Sequence, residues 1–291
     1  MNNPSFICIG AQKAGTTTLQ DILAQHPDIY LSPTKEIKYF HRDEHYSKGI
    51  KWYLNHFTDA LPHQKIGDIT PDYILYKDTA KRIFNDLGKD IKIIVLLRNP
   101  VSRTFSQFNF HRAAKVEQED DFKKMIKNYP TLDLENTSFI NWFTPSYYIE
   151  RSLYYNQLKR YYELFPKENI HVAIFEELFG EMREAELERL FHFIGIETIS
   201  NIKVKHSHAT RIPKNNFVSK IIHNLKNSKQ ILKLFFPRKL YILFRNYIIK
   251  LTSKRPEKLD DAFKKELFQV YFEKDVQQLE KLIDRDLSIW R

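Results

Sequence analysis

Short apolar runs alternate with segments of helical spacing along most of the chain. The runs at residues 6–9, 65–69, 91–97 and 170–175 are short enough and apolar enough to be strands. Between them, apolar residues recur every three or four positions, which predicts helices that bury one face. Strands that alternate with helices favour right-handed crossovers and a parallel sheet. The pattern therefore predicts an α/β fold of three layers, with helices on both faces of a central parallel sheet.

Residues 91–97 give the strongest strand signal, because nearly all of them are β-branched or leucine. Such a composition is typical of a central parallel strand that is covered on both faces. The strand ends at Arg98, after which Asn99 can cap a helix and Pro100 suits its first position. The apolar stripe of this helix consists of Val101, Phe105 and Phe108.

Four further helices are predicted from apolar spacing, at about 16–26, 146–165, 184–194 and 263–283. Gly195 is expected to end the third of these. Residues 36–40 alternate charged and apolar side chains, so a short extended segment would place Glu36 and Lys38 on one side. Residues 115–145 are polar with scattered aromatics, which predicts loop and short helix over the carboxyl ends of the strands.

Length and composition favour one globular domain over residues 1–291, because a chain of this size can bury a full α/β core. Cys8 is the only cysteine, which excludes a disulfide scaffold and favours a reducing compartment. The first residues lead directly into a strand, so we expect no signal peptide. No uncharged apolar run approaches about 18 residues, so no transmembrane helix is expected. We therefore expect a soluble, cytoplasmic protein, with peripheral membrane contact as an alternative.

The net charge of +10 is concentrated in one segment, because residues 219–256 contain ten Lys and Arg but no Asp or Glu. Apolar residues spaced among these lysines predict a basic helical insertion of two amphipathic helices at about 219–255. Three interpretations stay open for this insertion: solvated helix faces, contact with an anionic membrane surface or lipid-linked acceptor, and binding of a polyanionic glycan. No nucleic-acid motif accompanies the charge, so no nucleic-acid partner is expected.

Candidate chemistry begins where the first strand meets the first helix, at residues 10–18. A strand, a glycine-bounded loop and a helix N-terminus form an anion site, because the first helical N–H groups lack internal partners. The nucleotide triphosphatase loop reads G-x-x-x-x-G-K-[ST]. This chain keeps the spacing of Gly10 and Gly15, but Thr16 occupies the lysine position and Lys13 lies inside the loop. The pattern indicates a phosphate site whose chemistry does not use Mg²⁺-ATP.

The segment 12–19 resembles the 5′-phosphosulfate loop of sulfotransferases that use 3′-phosphoadenosine 5′-phosphosulfate (PAPS). A second segment, 97–106, is similar to the strand–turn–helix with which that family grips the 3′-phosphate, and Arg98 and Ser106 match its arginine and serine. The resemblance implies a P-loop-like fold, PAPS as donor and PAP, its desulfated form, as product. The implied cofactor-binding residues are Lys13, Ala14, Gly15, Thr16, Thr17, Thr18, Arg98, Ser106, Tyr154, Arg211 and Lys214. Tyr154 comes from a segment that lines the family's cofactor pocket, and the last two from a basic loop that closes over the 3′-phosphate.

Residues 34–40 resemble the corresponding segment in the heparan sulfate branch of this family, 3-O-sulfotransferases especially. The resemblance implies a soluble member of bacterial type. The resemblance implies that Glu36 is the base that accepts the proton of the acceptor, with Lys13 and Lys38 as further catalytic residues. Lys38 stands where the family has histidine, and Ile69 replaces a lysine that the family uses for anionic glycan. The implied acceptor is a hydroxyl or amine of a carbohydrate or glycoconjugate, and no metal is implied.

Two alternatives of other classes stay open. The first is a small-molecule kinase that uses Mg²⁺-ATP, against which the missing Gly-Lys-Ser/Thr argues. The second is a non-catalytic protein of the same fold that binds a polyanion or a membrane through 219–255.

The histidines give weaker signals. A metal site at His206 and His208 is weakly supported, because no clustered cysteine or acidic partner is evident. His111 could face the acceptor, but a solvated or hydrogen-bonded histidine is the simpler interpretation.

Overall fold

The computed structural model describes residues 3–129, 147–204, 212–213, 253–254 and 256–291. Five strands form one sheet in the order β2-β3-β1-β4-β5, and every neighbouring pair is parallel. The strands are β1 (Phe6–Gly10), β2 (Ile29–Leu31), β3 (Lys65–Ile69), β4 (Lys92–Leu97) and β5 (Ile170–Ile174). The predicted α/β fold with a central parallel sheet is confirmed.

Helices connect these strands, and further helices form the part of the chain after β5. They are α1 (Thr16–Leu23), α2 (Asp43–Tyr46), α3 (Ile50–Leu54), α4 (Thr79–Leu87), α5 (Pro100–Ala114), α6 (Phe122–Lys127), α7 (Tyr154–Tyr162), α8 (Phe175–Leu178), α9 (Arg183–Ile194), α10 (Asp261–Leu267) and α11 (Glu273–Ile283). A π-helical segment, Phe268–Phe272, joins the last two. Short 3₁₀ turns lie at Asn55–Phe57, Glu150–Ser152, Lys167–Asn169 and Ser288–Trp290. No helix in the described part of the chain has the length and apolar character needed to cross a bilayer.

The core of the protein lies around β1 and β4. All five residues of β1 are buried, and β4 is buried apart from Lys92 at its start. β4 lies between β1 and β5, which confirms its prediction as an internal strand covered on both faces. The sheet packs tightly, since a Cβ on Gly67 would lie 2.2 Å from the ring of Phe6.

The structure differs from the prediction in three segments. β2 was not predicted, because a three-residue edge strand is too short to show a period. The helix expected at 146–165 is only α7, since Leu153 has an extended backbone and separates it from the preceding 3₁₀ turn. The segment 36–40 is irregular, yet Ile37 and Tyr39 are buried as the alternation predicted.

The predicted terminal helix forms as α10, the π segment and α11 in succession. Val270 belongs to the apolar spacing of this helix, yet it is 66% exposed and does not face the core. The buried positions are instead Leu267, Phe268, Phe272, Val276, Leu279 and Ile283. The wider π turn is one local reason, because an extra residue in the turn shifts which side chains face the core.

Several predictions fall outside the described residues. They concern residues 219–252 of the basic insertion, the loop residues Arg211 and Lys214, and the histidine pair at 206 and 208. The single-domain organisation of the chain stays a prediction.

Candidate active site

The candidate site lies at the carboxyl edge of the sheet, where β1 and β4 end side by side. The chain runs from β1 to β2 and β3 on one side of the sheet, and from β4 to β5 on the other. The pair β1–β4 is therefore the topological switch point, where open parallel sheets bind their ligands. The loop before α1 and the turn at Arg98 emerge here, as the sequence predicted.

The loop after β1 is shaped to bring backbone close to an anion. Lys13 and Gly15 have φ angles of 67° and 100°, in the left-handed region. A Cβ on Gly15 would lie 2.7 Å from the Phe179 ring, so glycine is required on grounds of both conformation and space. Among the described residues, no side chain caps α1, which leaves its first N–H groups available to a ligand.

The three threonines at the start of α1 have different surroundings. Thr16 and Thr18 are buried, whereas Thr17 is exposed. The Thr17 hydroxyl accepts a hydrogen bond from Nζ of Lys35 over 3.1 Å. The roles of Ala14, Thr16, Thr17 and Thr18 in cofactor binding stay predictions.

Lys13 lies in an unusually cationic setting. Its Nζ sits 4.4 Å from the centre of the Phe110 ring. Burial, together with the charges of Arg98 and Arg103, lowers the pKa of Lys13 to about 8. Such convergence of cations is destabilising without a ligand and favours an anion that neutralises them.

Arg98 joins the same region from the end of β4. Its Nη1 donates to the carbonyl of Lys13 over 3.2 Å, and its Cζ lies 4.5 Å from the centre of the Phe175 ring. Its Nε is buried without a hydrogen-bond partner among the described residues. Burial lowers the pKa of Arg98, and the charge of Glu176 opposes that shift. A buried guanidinium with an unused N–H fits a phosphate ligand.

Ser106 and Tyr154, the other residues expected near Arg98, occupy different positions. Ser106 is half-buried on α5, and its contact with a 3′-phosphate stays a prediction. Tyr154 is fully buried, and its hydroxyl donates to the carbonyl of Arg98 over 3.0 Å. In this structure Tyr154 supports the end of β4, and a direct contact with cofactor stays a prediction.

Arg103 supports the loop from beneath, a role that the sequence analysis missed. It is 0% exposed and donates to the carbonyls of Gln12 and Tyr148 over 3.4 and 2.8 Å. It also donates to Oε1 of Gln107 over 2.6 Å. An arginine on a helix gives no sequence signal that separates such a buried donor from a solvated charge.

Glu36 directly follows Lys35, whose ammonium donates a hydrogen bond to Thr17 of the phosphate loop. Its side chain is 15% exposed, and its Oε2 lies 3.5 Å from Nζ of Lys38. Burial raises the pKa of Glu36, and the carboxylate of Asp72 raises it further. A carboxylate with a raised pKa is a stronger base, which suits a group that must accept a proton.

Lys35 connects the segment that carries Glu36 to the phosphate loop. The sequence analysis did not predict this role. Nζ of Lys35 donates to Oγ1 of Thr17 over 3.1 Å. Two cations, Lys13 and Lys35, thus belong to the loop region, while Glu36 is adjacent to the second of them. The sequence signal available was only that Lys35 precedes Glu36.

A buried ion pair between Arg151 and Asp72 lies near Glu36. Nη1 of Arg151 lies 3.4 Å from Oδ1 of Asp72 and donates to Oε1 of Gln12 over 3.3 Å. Each charged side chain of the pair is only 4% exposed. Burial raises the pKa of Asp72, and Arg151 opposes the shift. Arg151 therefore links Gln12 of the phosphate loop to the Asp72 carboxylate.

His111 is a structural residue. It is 1% exposed, and its Nδ1 lies 3.0 Å from the Tyr148 hydroxyl, which confirms the interpretation as a hydrogen-bonded histidine. Within the described ranges, no group of three or more His, Cys, Asp and Glu side chains could hold a metal ion.

Comparisons with known proteins give matches in both sequence and fold. The model of the sulfotransferase domain family matches residues 3–272. The membrane-associated sulfotransferase kil1 of Dictyostelium discoideum is 47% identical over 110 residues, covering 37% of this chain and 23% of that protein. Heparan sulfate glucosamine 3-O-sulfotransferase 5 of Homo sapiens is 30% identical over 179 residues, covering 61% of this chain and 49% of that protein. The chain thus matches about half or less of the length of these relatives.

A solved structure extends the comparison to the whole chain. The sulfotransferase from Alicyclobacillus acidocaldarius superposes with a TM-score of 0.66 at 24% identity, and 100% of each chain is covered. At this identity the similarity shows a shared fold.

Proposed function

The chain belongs to the sulfotransferase family, and we propose that it transfers a sulfuryl group from PAPS to a hydroxyl or amine of a carbohydrate-containing acceptor. One observation supports the proposal: Nη1 of Arg98 donates to the backbone carbonyl of Lys13. The two residues that the family resemblance implies for opposite ends of PAP thus lie together in one partly buried region. The N-terminus of α1 opens onto the same edge of the sheet. A dianionic 5′ group and a 3′-phosphate would satisfy these converging donors.

The residues divide by the part of the donor that they would hold. Lys13 and the N–H groups at the start of α1 suit the 5′-phosphosulfate, which carries the group to be transferred. Arg98, whose buried Nε lacks a partner among the described residues, suits the 3′-phosphate, with Ser106 on α5 as a second contact.

Glu36 would accept the proton of the attacking hydroxyl or amine. As that proton leaves, a sulfur–oxygen or sulfur–nitrogen bond forms to the acceptor, and the bond from sulfur to the 5′-phosphate oxygen breaks. A positioned base contributes roughly 10²–10⁴ to such a rate. Lys13 and Lys35 can offset the negative charge that grows on the leaving phosphate, since fixed donors act where charge develops.

A carbohydrate acceptor is supported by the relatives named as heparan sulfate glucosamine 3-O-sulfotransferases. Peripheral membrane contact through 219–255 is supported by the charge of that segment and by the name of the membrane-associated relative. Vesicles of anionic lipid test the second point, because they should bind the chain and release it at high salt.

Calorimetric titration with PAP tests the proposed function at its base. We expect PAP to bind at one site per chain. In a second assay, we expect labelled sulfate to pass from PAPS to glucosamine-containing oligosaccharides. Absence of PAP binding, or consumption of ATP that depends on Mg²⁺, would overturn the proposal and favour the kinase alternative.

A further inference from the structure

Glu176 bridges two segments that are far apart in the sequence. Its Oε2 accepts a hydrogen bond from the indole Nε1 of Trp290 over 3.0 Å, and its Oε1 accepts one from the backbone N–H of Asn99 over 3.1 Å. Trp290 belongs to the Ser288–Trp290 turn, whereas Glu176 lies on α8. One carboxylate therefore ties the last turn of the sequence to the turn after β4.

The side chain of Asn99 makes two further hydrogen bonds in this region. Its Nδ2 donates to the carbonyl of Trp290 over 2.8 Å, while its Oδ1 accepts from the N–H of Ser102 over 2.9 Å. We call Asn99, Glu176 and Trp290 the Trp290 clasp. Each member contacts the other two, and Trp290 is only 3% exposed.

The clasp lies next to Arg98, the residue that precedes Asn99 in the chain. The Arg98 guanidinium packs on Phe175, the neighbour of Glu176 in the chain, and feels the charge of Glu176. The ring of Tyr154, whose hydroxyl holds the Arg98 carbonyl, lies 6.1 Å from the Trp290 ring. Backbone and side chain of Arg98 are thus both held by groups that contact the clasp.

We infer that Trp290 and Glu176 are positioning residues that set the affinity of Arg98 for a 3′-phosphate. The inference rests on the proposed function, because it assumes that Arg98 binds the 3′-phosphate of PAP. The physical reason is that a bidentate phosphate contact tolerates little displacement of the guanidinium. Loss of the clasp would free the peptide at Asn99 and let the guanidinium move.

The test compares PAP with 5′-AMP, which lacks the 3′-phosphate. Trp290→Phe retains an aromatic ring but removes the N–H that Glu176 accepts. We expect the dissociation constant for PAP to rise about tenfold, as for the loss of a hydrogen bond to a charged group, while that for 5′-AMP stays the same. Ile289→Ala is the matched control, since Ile289 is in the same turn and 52% exposed. The control should leave both constants unchanged.

Glu176→Gln provides a second variant, because an amide cannot accept both hydrogen bonds of the carboxylate. It too should weaken PAP and spare 5′-AMP. In an Arg98→Ala background, Trp290→Phe should have no further effect on PAP, since the clasp acts through Arg98.

Four results would separate the outcomes. Equal weakening of PAP and 5′-AMP, or an undiminished effect of Trp290→Phe without Arg98, would overturn the inference and leave the proposed function standing. Unchanged PAP affinity in both variants would do the same. Failure of the unmodified protein to bind PAP would instead refute the proposed function on which the inference rests.

Discussion

Lys35 donates a hydrogen bond from Nζ to the hydroxyl of Thr17 over 3.1 Å, across 18 residues of sequence. This contact joins the segment that carries Glu36 to the start of α1. Because Glu36 is bonded directly to Lys35 in the chain, the contact fixes how far the carboxylate can lie from the phosphate loop. The candidate base and the candidate donor site are thereby held together.

Replacement of Glu36 by Gln should reduce sulfuryl transfer by roughly 10²–10⁴, because the variant keeps the shape of the side chain but cannot accept a proton. The affinity for PAP should change little, since Glu36 is assigned to the acceptor side. Transfer from labelled PAPS and calorimetry with PAP measure the two effects. Glu44→Gln is the matched control, because that side chain is 66% exposed on α2. Full activity of the Glu36 variant would remove it from the role of base.

Lys35→Ala should lower kcat by about 10²-fold, the usual cost of removing a donor that meets developing charge. The affinity for PAPS, measured without acceptor, should fall much less, because the charge on the leaving phosphate grows only during transfer. Lys51→Ala, on the exposed side of α3, serves as the control. Equal losses in kcat and in PAPS affinity would show that Lys35 binds the ground state and would contradict the prediction.

Binding of PAP should take up protons above pH 8, because the pKa of Lys13 is lowered from 10.5 to about 8. In the free protein Lys13 is therefore increasingly neutral above this pH. A bound phosphate favours the charged form, so affinity should decline as pH rises from 8 to 10. Calorimetry in HEPES and Tris, whose protonation enthalpies differ, measures the protons taken up.

Lys13→Met should abolish this proton uptake and flatten the pH dependence. The same shift has a consequence for stability, since between pH 8 and 10.5 the unfolded chain binds more protons at Lys13 than the folded one. The contribution of Lys13 to the free energy of unfolding should accordingly rise with pH over that interval. Proton uptake that persists in Lys13→Met would assign it to another group.

Arg151→Met should lower the free energy of unfolding by about 3–5 kcal/mol, because it leaves the Asp72 carboxylate buried without its cation. Urea denaturation measures the loss. The double variant Arg151→Met, Asp72→Asn removes both charges and should recover part of the stability. If the double variant were as unstable as the two single losses combined, the ion pair would not be the cause.

The predictable part of the molecule consists of its local patterns. The run 91–97 indicated an internal strand because both faces needed apolar cover, and Asn99 and Pro100 marked the start of α5 by capping chemistry alone. The phosphate loop was recognisable because its glycines, lysine and helix start are neighbours in sequence. β2 and the exposure of Val270 were not predictable, since a three-residue strand and a π turn leave no clear period.

The sequence by itself determined the strand–loop–helix unit at 10–19 and the position of Arg98 at the end of a strand, because each depends on residues within a few positions of one another. The candidacy of Glu36 came from the resemblance to the sulfotransferase family. Only the tertiary structure decided which other charges serve the site. Arg103, Arg151 and Lys35 read as ordinary surface charges until folding buries them or supplies a partner. The Trp290 clasp joins positions 191 residues apart, and no short-range preference encodes a contact that exists only once the sheet has brought its ends together.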